Sequence, residues 1–241
     1  MFHAAIPAVQ RPRGMARWLW GFSGTSAGLA KTLRKHLEEQ CHSDSRCTHY
    51  SFKDRTFRGT VDIIGIAKQK LHTTFCVEPP GDTLLRKSLL DSIVAGCIPV
   101  LFEHQSLDLY QPLVTPEEWA KATVFIPEVQ LVDRKNWSEW ASNAFHVNSS
   151  WQELQKLYPE YSSLLHAVHP MHSESQRRDN LQKIFPKPSS FLSILGKISK
   201  KEIQRKQAAL AEIAPRLVIS LDDSKEDAVS TLLQHIAARK G

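Results

Sequence analysis

The chain has 241 residues, of which 41% are hydrophobic and 23% charged, an ordinary globular composition with room for one large domain or two small ones. Its formal net charge of +6 suits an anionic partner (a nucleotide diphosphate, an anionic polysaccharide or nucleic acid), or is a mildly basic surface and nothing more. No apolar run approaches the roughly 18 residues of a membrane-spanning helix, so no membrane segment is expected in this chain.

Residues 1–15, rich in Pro and Arg, read as a linker. They lack the apolar stretch of a secretory signal. At face value that reads as cytoplasmic, and a chain beginning in the middle of a longer gene would look the same. Arg17–Phe22 is apolar and aromatic, as a buried strand would be. Gly21, Ser23, Gly24 and Thr25 then suggest a small-residue turn, and Ala27–Gln40 a helix with Leu29, Leu33 and Leu37 on one face. Strand, glycine turn and helix open a Rossmann-like unit, whose helix N-terminus offers amides to an anion. Glycine turns also join strands to helices where no ligand binds.

The chain has four cysteines, which permits two disulfides without proving them. Cys41 and Cys47 flank a polar HSDSR segment that reads as a small loop closed by a bridge. No pair has the CxxC spacing of a zinc site. Thr48–Phe52 suggests a second strand, and Ile66–Leu71 a short helix after an ambiguous Arg58–Gly65. Thr74–Val77 is a strand stopped by Pro79-Pro80-Gly81, since proline cannot continue a ladder. Asp82 and Thr83 are candidate N-caps for a helix over Leu84–Ala95, with Leu85, Leu89 and Ile93 at helical spacing and Gly96 at the C′ position. Ile98–Phe102 follows as a buried parallel strand, and TVFIP at 123–127 as another.

Residues 132–190 change character and read as a partly irregular insertion. It carries two glycosylation sequons, at Asn136 and Asn148, triplets that also arise by chance; together with the cysteines they lean toward a secretory lumen. Ser190–Ile213 reads as a basic helix, Pro215–Leu221 as a short β-branched strand, and Asp223–Lys240 as a final helix. The organisation expected is a linker at 1–15, a Rossmann-like domain at 16–131, the insertion at 132–190, and helices and a strand at 191–241 that complete the domain. The fold class is α/β, a parallel sheet with flanking helices. His166, His169 and His172 invite a metal hypothesis, but Pro170 disrupts a common helical face and no carboxylate pattern surrounds them, so no metal is expected.

The segment FCVEPPGDTLLRKSLLDSIVAGCIPVLF, residues 75–102, resembles FCLQPPGDSxTRRSxFDSxLAGCIPVFF of the exostosin family, glycosyltransferase family 47, in its plant-type branch of xyloglucan galactosyltransferases and related wall-polymer enzymes. The match runs over 28 consecutive positions without a gap. ARWLWGFSGT, TVFIPE and IAPRLVISLDDSKEDAVSTLL resemble further family segments, so the likeness touches residues 16–131 and 193–235.

The resemblance implies a GT-B fold, two Rossmann-like halves with the active site between them. The matching residues belong to the C-terminal, donor-binding half. The N-terminal half, the anchor and the stem are then expected to be missing from this chain. Family members are inverting enzymes of the Golgi that use a nucleotide-diphosphate sugar, here a UDP-sugar, without a bound metal. A base deprotonates the acceptor hydroxyl of a polysaccharide or glycoprotein while cations stabilise the leaving diphosphate. That base cannot be assigned from this chain. The second reading is a truncated, non-catalytic nucleotide-sugar-binding module. A nucleic-acid-binding role has no aromatic-basic motif to support it.

By the same resemblance, Asp91 is a candidate for the ribose hydroxyls, or else a helix carboxylate paired with Lys87. Arg86 and Lys87 are candidates for the diphosphate, Arg86 the better because its fork is bidentate; otherwise they are an exposed basic pair. Gly81 lets the backbone approach the sugar, and Asp82 either binds hydroxyls or caps the helix. Ser23, Gly24 and Thr25 are candidates for a second phosphate contact. Glu78 stands where the family usually has Gln, with its role open. Cys76 and Cys97 match two recurring family cysteines. The family's secretory setting favours a bridge between them over two buried thiols.

Overall fold

The aromatic run ahead of the first helix forms β1, Trp18–Gly24, and alternation sends Trp20 and Phe22 to one face of the sheet, both buried. The structure is a computed structural model that describes residues 16–24, 30–51, 63–81, 86–102, 105–131, 156–157, 159, 162–167, 171–185, 187, 189–219 and 227–238. Three further strands follow the sequence reading closely: β2 (Cys47–Ser51), β3 (Thr73–Glu78) and β4 (Ile98–Leu101). A two-residue β5, Val124–Phe125, completes a five-stranded sheet in the order β2-β1-β3-β4-β5, every pairing parallel. All four β4 residues are buried, as a parallel strand covered on both faces requires.

The helices lie on both faces. Helix α1 (Lys31–His42) buries Leu33, Leu37 and Cys41 against β1 and β2, on the side of Trp20 and Phe22. Helices α2 (Ile63–Leu71) and α3 (Lys87–Val94) cover the other face, which carries Cys76 and Glu78 of β3. Helix α3 ends in a Schellman motif. Gly96 at C′ has φ +64°, its N–H bonds Ile93 O at 3.0 Å, and the Cys97 N–H bonds Ser92 O at 2.9 Å.

Beyond β4 come the short α4 (Gln105–Asp108) and α5 (Pro116–Ala122), the latter opened by a capping box between Thr115 and Glu118. Then follow α6 (Ser162–Ala167), α7 (Glu174–Ile184), α8 (Phe191–Leu195), α9 (Lys200–Ile213) and α10 (Ala228–Ala238). Phe191 of α8 packs tilted against Trp20, with ring centroids 4.8 Å apart, and its N–H donates to the Gln40 side chain at 2.7 Å, which fastens the C-terminal helices to α1. Both disulfides are present, Cys41–Cys47 and Cys76–Cys97, with Cα separations of 5.2 and 5.6 Å.

Four sequence expectations change. Gly21, Ser23 and Gly24 are not a turn but the C-terminal half of β1, because they pair with Thr48, Tyr50 and Ser51 of β2. Arg86, not Asp82 or Thr83, is the N-cap of α3, so the helix starts later than its hydrophobic period suggests. The basic helix breaks at Gly196, and Ser199 restarts it by accepting the Glu202 N–H at 3.1 Å. Pro215 lies in a 3₁₀ turn, Ala214–Leu217, rather than a strand: its fixed φ suits a helical start and it has no N–H for a ladder. Thr25, Asp82, Thr83, Asn136, Asn148, His169 and the 1–15 linker lie outside the described residues.

Candidate functional site

The strand order places a topological switch point between β1 and β3, since the chain winds outward to β2 on one side and to β4 and β5 on the other. In open parallel sheets the crevice beyond the C-terminal ends of the two strands at such a point is where ligands bind. Here that crevice lies between Gly24, which ends β1, and Pro79-Pro80-Gly81, which follows β3. The sequence-derived residues Gly24, Gly81 and Arg86 converge on it.

Arg34 of α1 organises the crevice, and the sequence reading missed it. It is buried, with 7% exposure, and its guanidinium lies over the Phe22 ring at 5.9 Å. Nη2 donates to Pro80 O at 2.8 Å and to Pro79 O at 3.3 Å. Two carbonyls that no ladder can satisfy are thereby held by one cation. Gly24 has φ +151°, and a Cβ there would lie 2.8 Å from Arg34 Nη1, so only glycine lets the end of β1 come this close. Nothing in the sequence separates Arg34 from a surface arginine beside a helical stripe.

Arg86 also folds onto the loop. Its Nη1 donates to Pro79 O, and the guanidinium covers the α-carbon of Gly81, where a side chain would collide with it. Arg86 is the N-cap of α3 and does not cap it with its own side chain, so the positive end of the helix lies beside the guanidinium. Lys87 and Asp91 are paired: Nζ donates to both carboxylate oxygens, at 2.6 and 2.7 Å, on the exposed side of α3. Ser23 does not aim its hydroxyl at the crevice; Oγ donates to Gln69 Oε1 at 2.5 Å, and Gln69 in turn bonds the carbonyls of Phe22 and Thr48.

Beneath the loop lies a buried ionic cluster. Lys70 of α2 and Glu78, the last residue of β3, have side chains 4% and 3% exposed and meet at 2.7 Å. Lys70 Nζ also donates to Ser88 O and Ser88 Oγ at 3.0 Å and to Ser92 Oγ at 2.6 Å, while Ser92 Oγ donates to Glu78 Oε1 at 2.6 Å. Burial alone would raise the Glu78 carboxyl. The Lys70 ammonium, with the hydrogen bonds from Lys70, Ser92 and Ser88, outweighs it and holds the group below the usual glutamate range. The cluster ties α2, the end of β3 and the first turns of α3 together, which fixes both ends of the loop. The role of Glu78, left open by the sequence, is this pairing. Glutamate where Gln is usual was the available signal: a buried carboxylate needs a cation. Burial likewise raises the Tyr110 hydroxyl; the facing Arg86 backbone partly offsets this and the Glu78 charge adds to it.

A doubly wound parallel sheet with a cationic, glycine-lined loop at its switch point defines a Rossmann-like α/β domain. The Exostosin GT47 domain matches residues 5–139, and the chain belongs to that family. It is 34% identical over 116 residues to the probable xyloglucan galactosyltransferase GT15 of Arabidopsis thaliana, covering 47% of this chain and 24% of that protein. It is 43% identical over 74 residues to the probable xyloglucan galactosyltransferase GT19 of the same plant, covering 30% and 17%. With the xyloglucan galactosyltransferase MUR3, also from Arabidopsis thaliana, it shares 30% identity over 122 residues, covering 49% and 19%. The chain thus spans a quarter or less of the length of these relatives. Among the described residues no helix is long and apolar enough to cross a membrane.

Proposed function

We propose that this chain is the donor-binding part of an exostosin-type glycosyltransferase, which holds a UDP-sugar at the β1/β3 switch point and serves its transfer, with inversion, to a polysaccharide or glycoprotein acceptor. The observation that carries the reading is the clamped Pro79–Gly81 loop, set between Arg34, Arg86 and the N-terminus of α3. Arg86 uses one of five N–H donors on Pro79 O, which leaves a fork for the diphosphate. A cation and a helix N-terminus can stabilise the leaving diphosphate without a metal. Asp91 accepts the ribose hydroxyls on the lone pairs that Lys87 does not occupy. The base that activates the acceptor, and the domain that holds the acceptor, are contributed from elsewhere in the enzyme. Relatives named as xyloglucan galactosyltransferases support a plant-wall glycan as the acceptor class. Two disulfides fit the oxidising Golgi lumen.

Titration calorimetry of the chain with UDP and GDP tests this. UDP is expected to bind, and Arg86→Ala or Asp91→Ala to weaken it by roughly tenfold to a hundredfold, the worth of a charge-assisted hydrogen bond. Folded protein that binds neither nucleotide overturns the proposal. Binding without transfer, when the chain is combined with acceptor, supports a non-catalytic donor module.

A further inference from the structure

We propose that Glu38, His42 and His49 form a binding site for a divalent transition-metal cation, zinc above all. Glu38 and His42 stand four residues apart on α1, so both side chains lie on one side of the helix, one turn apart. His49 lies on the neighbouring β2. The Cys41–Cys47 bridge joins the same helix to the same strand, with Cα atoms 5.2 Å apart, and fixes the spacing between the two elements.

The three side chains already converge. His49 Nδ1 is 3.8 Å from Glu38 Oε1, the His42 and His49 rings lie 5.7 Å apart at 64°, and one ligand atom from each residue falls within 4.8 Å of the others. Two of the arms are pre-set. His49 is stacked flat on Phe22 at 5.1 Å, and the side chains of His49 and Glu38 are 7% and 17% exposed. The third arm, His42, is exposed and free to turn inward.

Two imidazoles and one carboxylate suit zinc, with bonds of about 2.0–2.2 Å and a fourth position left to water. Ligands on a tetrahedral ion stand roughly 3.4 Å apart, so the triad must close by an ångström or so, which rotation of His42 supplies. The ion would replace the loose Glu38–His49 contact with two stronger bonds and add a second tie between α1 and β2. Magnesium and calcium, which demand oxygen ligands, are not matched by this set.

The test is competition between the purified full chain, disulfides intact, and a chromogenic zinc chelator, with Mg2+ as the control ion. The expected result is one Zn2+ bound per chain in the micromolar range or tighter, no Mg2+, and a melting temperature that rises with Zn2+. His42→Ala and Glu38→Gln are each expected to weaken zinc by at least about tenfold, while His42→Asp, which keeps a ligand atom, retains more of the affinity than His42→Ala. Because His42 is exposed, its replacement leaves the zinc-free melting temperature unchanged. The chain has 11 histidines, and His166 and His172 also lie close, with ring centroids 5.6 Å apart, so His166→Ala is the control and is expected to bind like the parent. No zinc binding by the parent chain overturns the site. So does a His42→Ala variant that binds as tightly as the parent, or zinc that is lost with His166 instead.

Discussion

Replacing Lys70 by Met removes the ammonium and keeps most of the side-chain volume, leaving Glu78 buried with only the Ser92 and Ser88 hydroxyls as side-chain donors. The buried carboxylate then escapes by taking up a proton. From the ordinary glutamate value of 4.5, holding that proton at pH 7 costs about 3.4 kcal/mol, at roughly 1.36 kcal/mol per pH unit. This agrees with the ~3–5 kcal/mol expected when one partner of a buried pair is removed. For a domain of this size it lowers the melting temperature by about 7–14 °C. The sign with pH follows. In the parent, Glu78 is depressed, so its stabilisation is present above pH 4.5 and lost as pH falls through its folded value. In Lys70→Met the folded value is raised, so the penalty shrinks on acidification, to about 1 kcal/mol near pH 5. Glu78→Gln gives a penalty without this slope. The double variant is expected to be more stable than the sum of the singles by about 1–3 kcal/mol. Denaturant unfolding across pH 5–7.5 reads all three. A Lys70→Met penalty that does not change with pH, or a cycle additive within about 0.5 kcal/mol, refutes the pairing.

Arg34→Met leaves the Pro80 carbonyl without its cation, while Pro79 O keeps Arg86, and is expected to cost about 1–3 kcal/mol in denaturant unfolding and to weaken UDP by roughly tenfold in calorimetry. Gly24→Ala forces a side chain into a positive-φ position and against Arg34, and is expected to cost about 1–3 kcal/mol; parent-like stability contradicts the close approach. Replacing Cys76 and Cys97 together by Ser opens a bridge across 21 residues and is expected to lower stability by roughly 3 kcal/mol, with reductant no longer affecting that part of the unfolding free energy.

What the sequence made legible was local. The β3–α3–β4 unit could be read because a proline pair, a helical stripe through Leu89 and Ile93, Gly96 and an unbroken apolar strand each signal within a few residues. The disulfides followed from a short polar loop in one case and from the family likeness in the other. What stayed hidden was non-local. Gly21 to Gly24 look like a turn until β2 pairs with them, and small residues are read as breakers when their partner strand is not yet placed. Strand order, and with it the switch point, depends on pairings across the chain. Arg34 and Lys70 sit on amphipathic helices, where one basic residue more or less at the edge of the buried stripe carries no local mark. Of the candidate site, Gly24, Gly81 and Arg86 converge. Lys87 and Asp91 are joined to each other, and the Ser23 hydroxyl is held by Gln69.

The central claim, a UDP-sugar site at the β1/β3 switch point, is most directly tested by amide chemical shifts of the labelled chain during titration with UDP. Shifts that saturate and cluster at Gly24, Gly81, Arg86, Lys87 and Asp91 are the predicted result. Saturable shifts confined to the opposite, N-terminal ends of β1 and β3, or none at any residue, would contradict it.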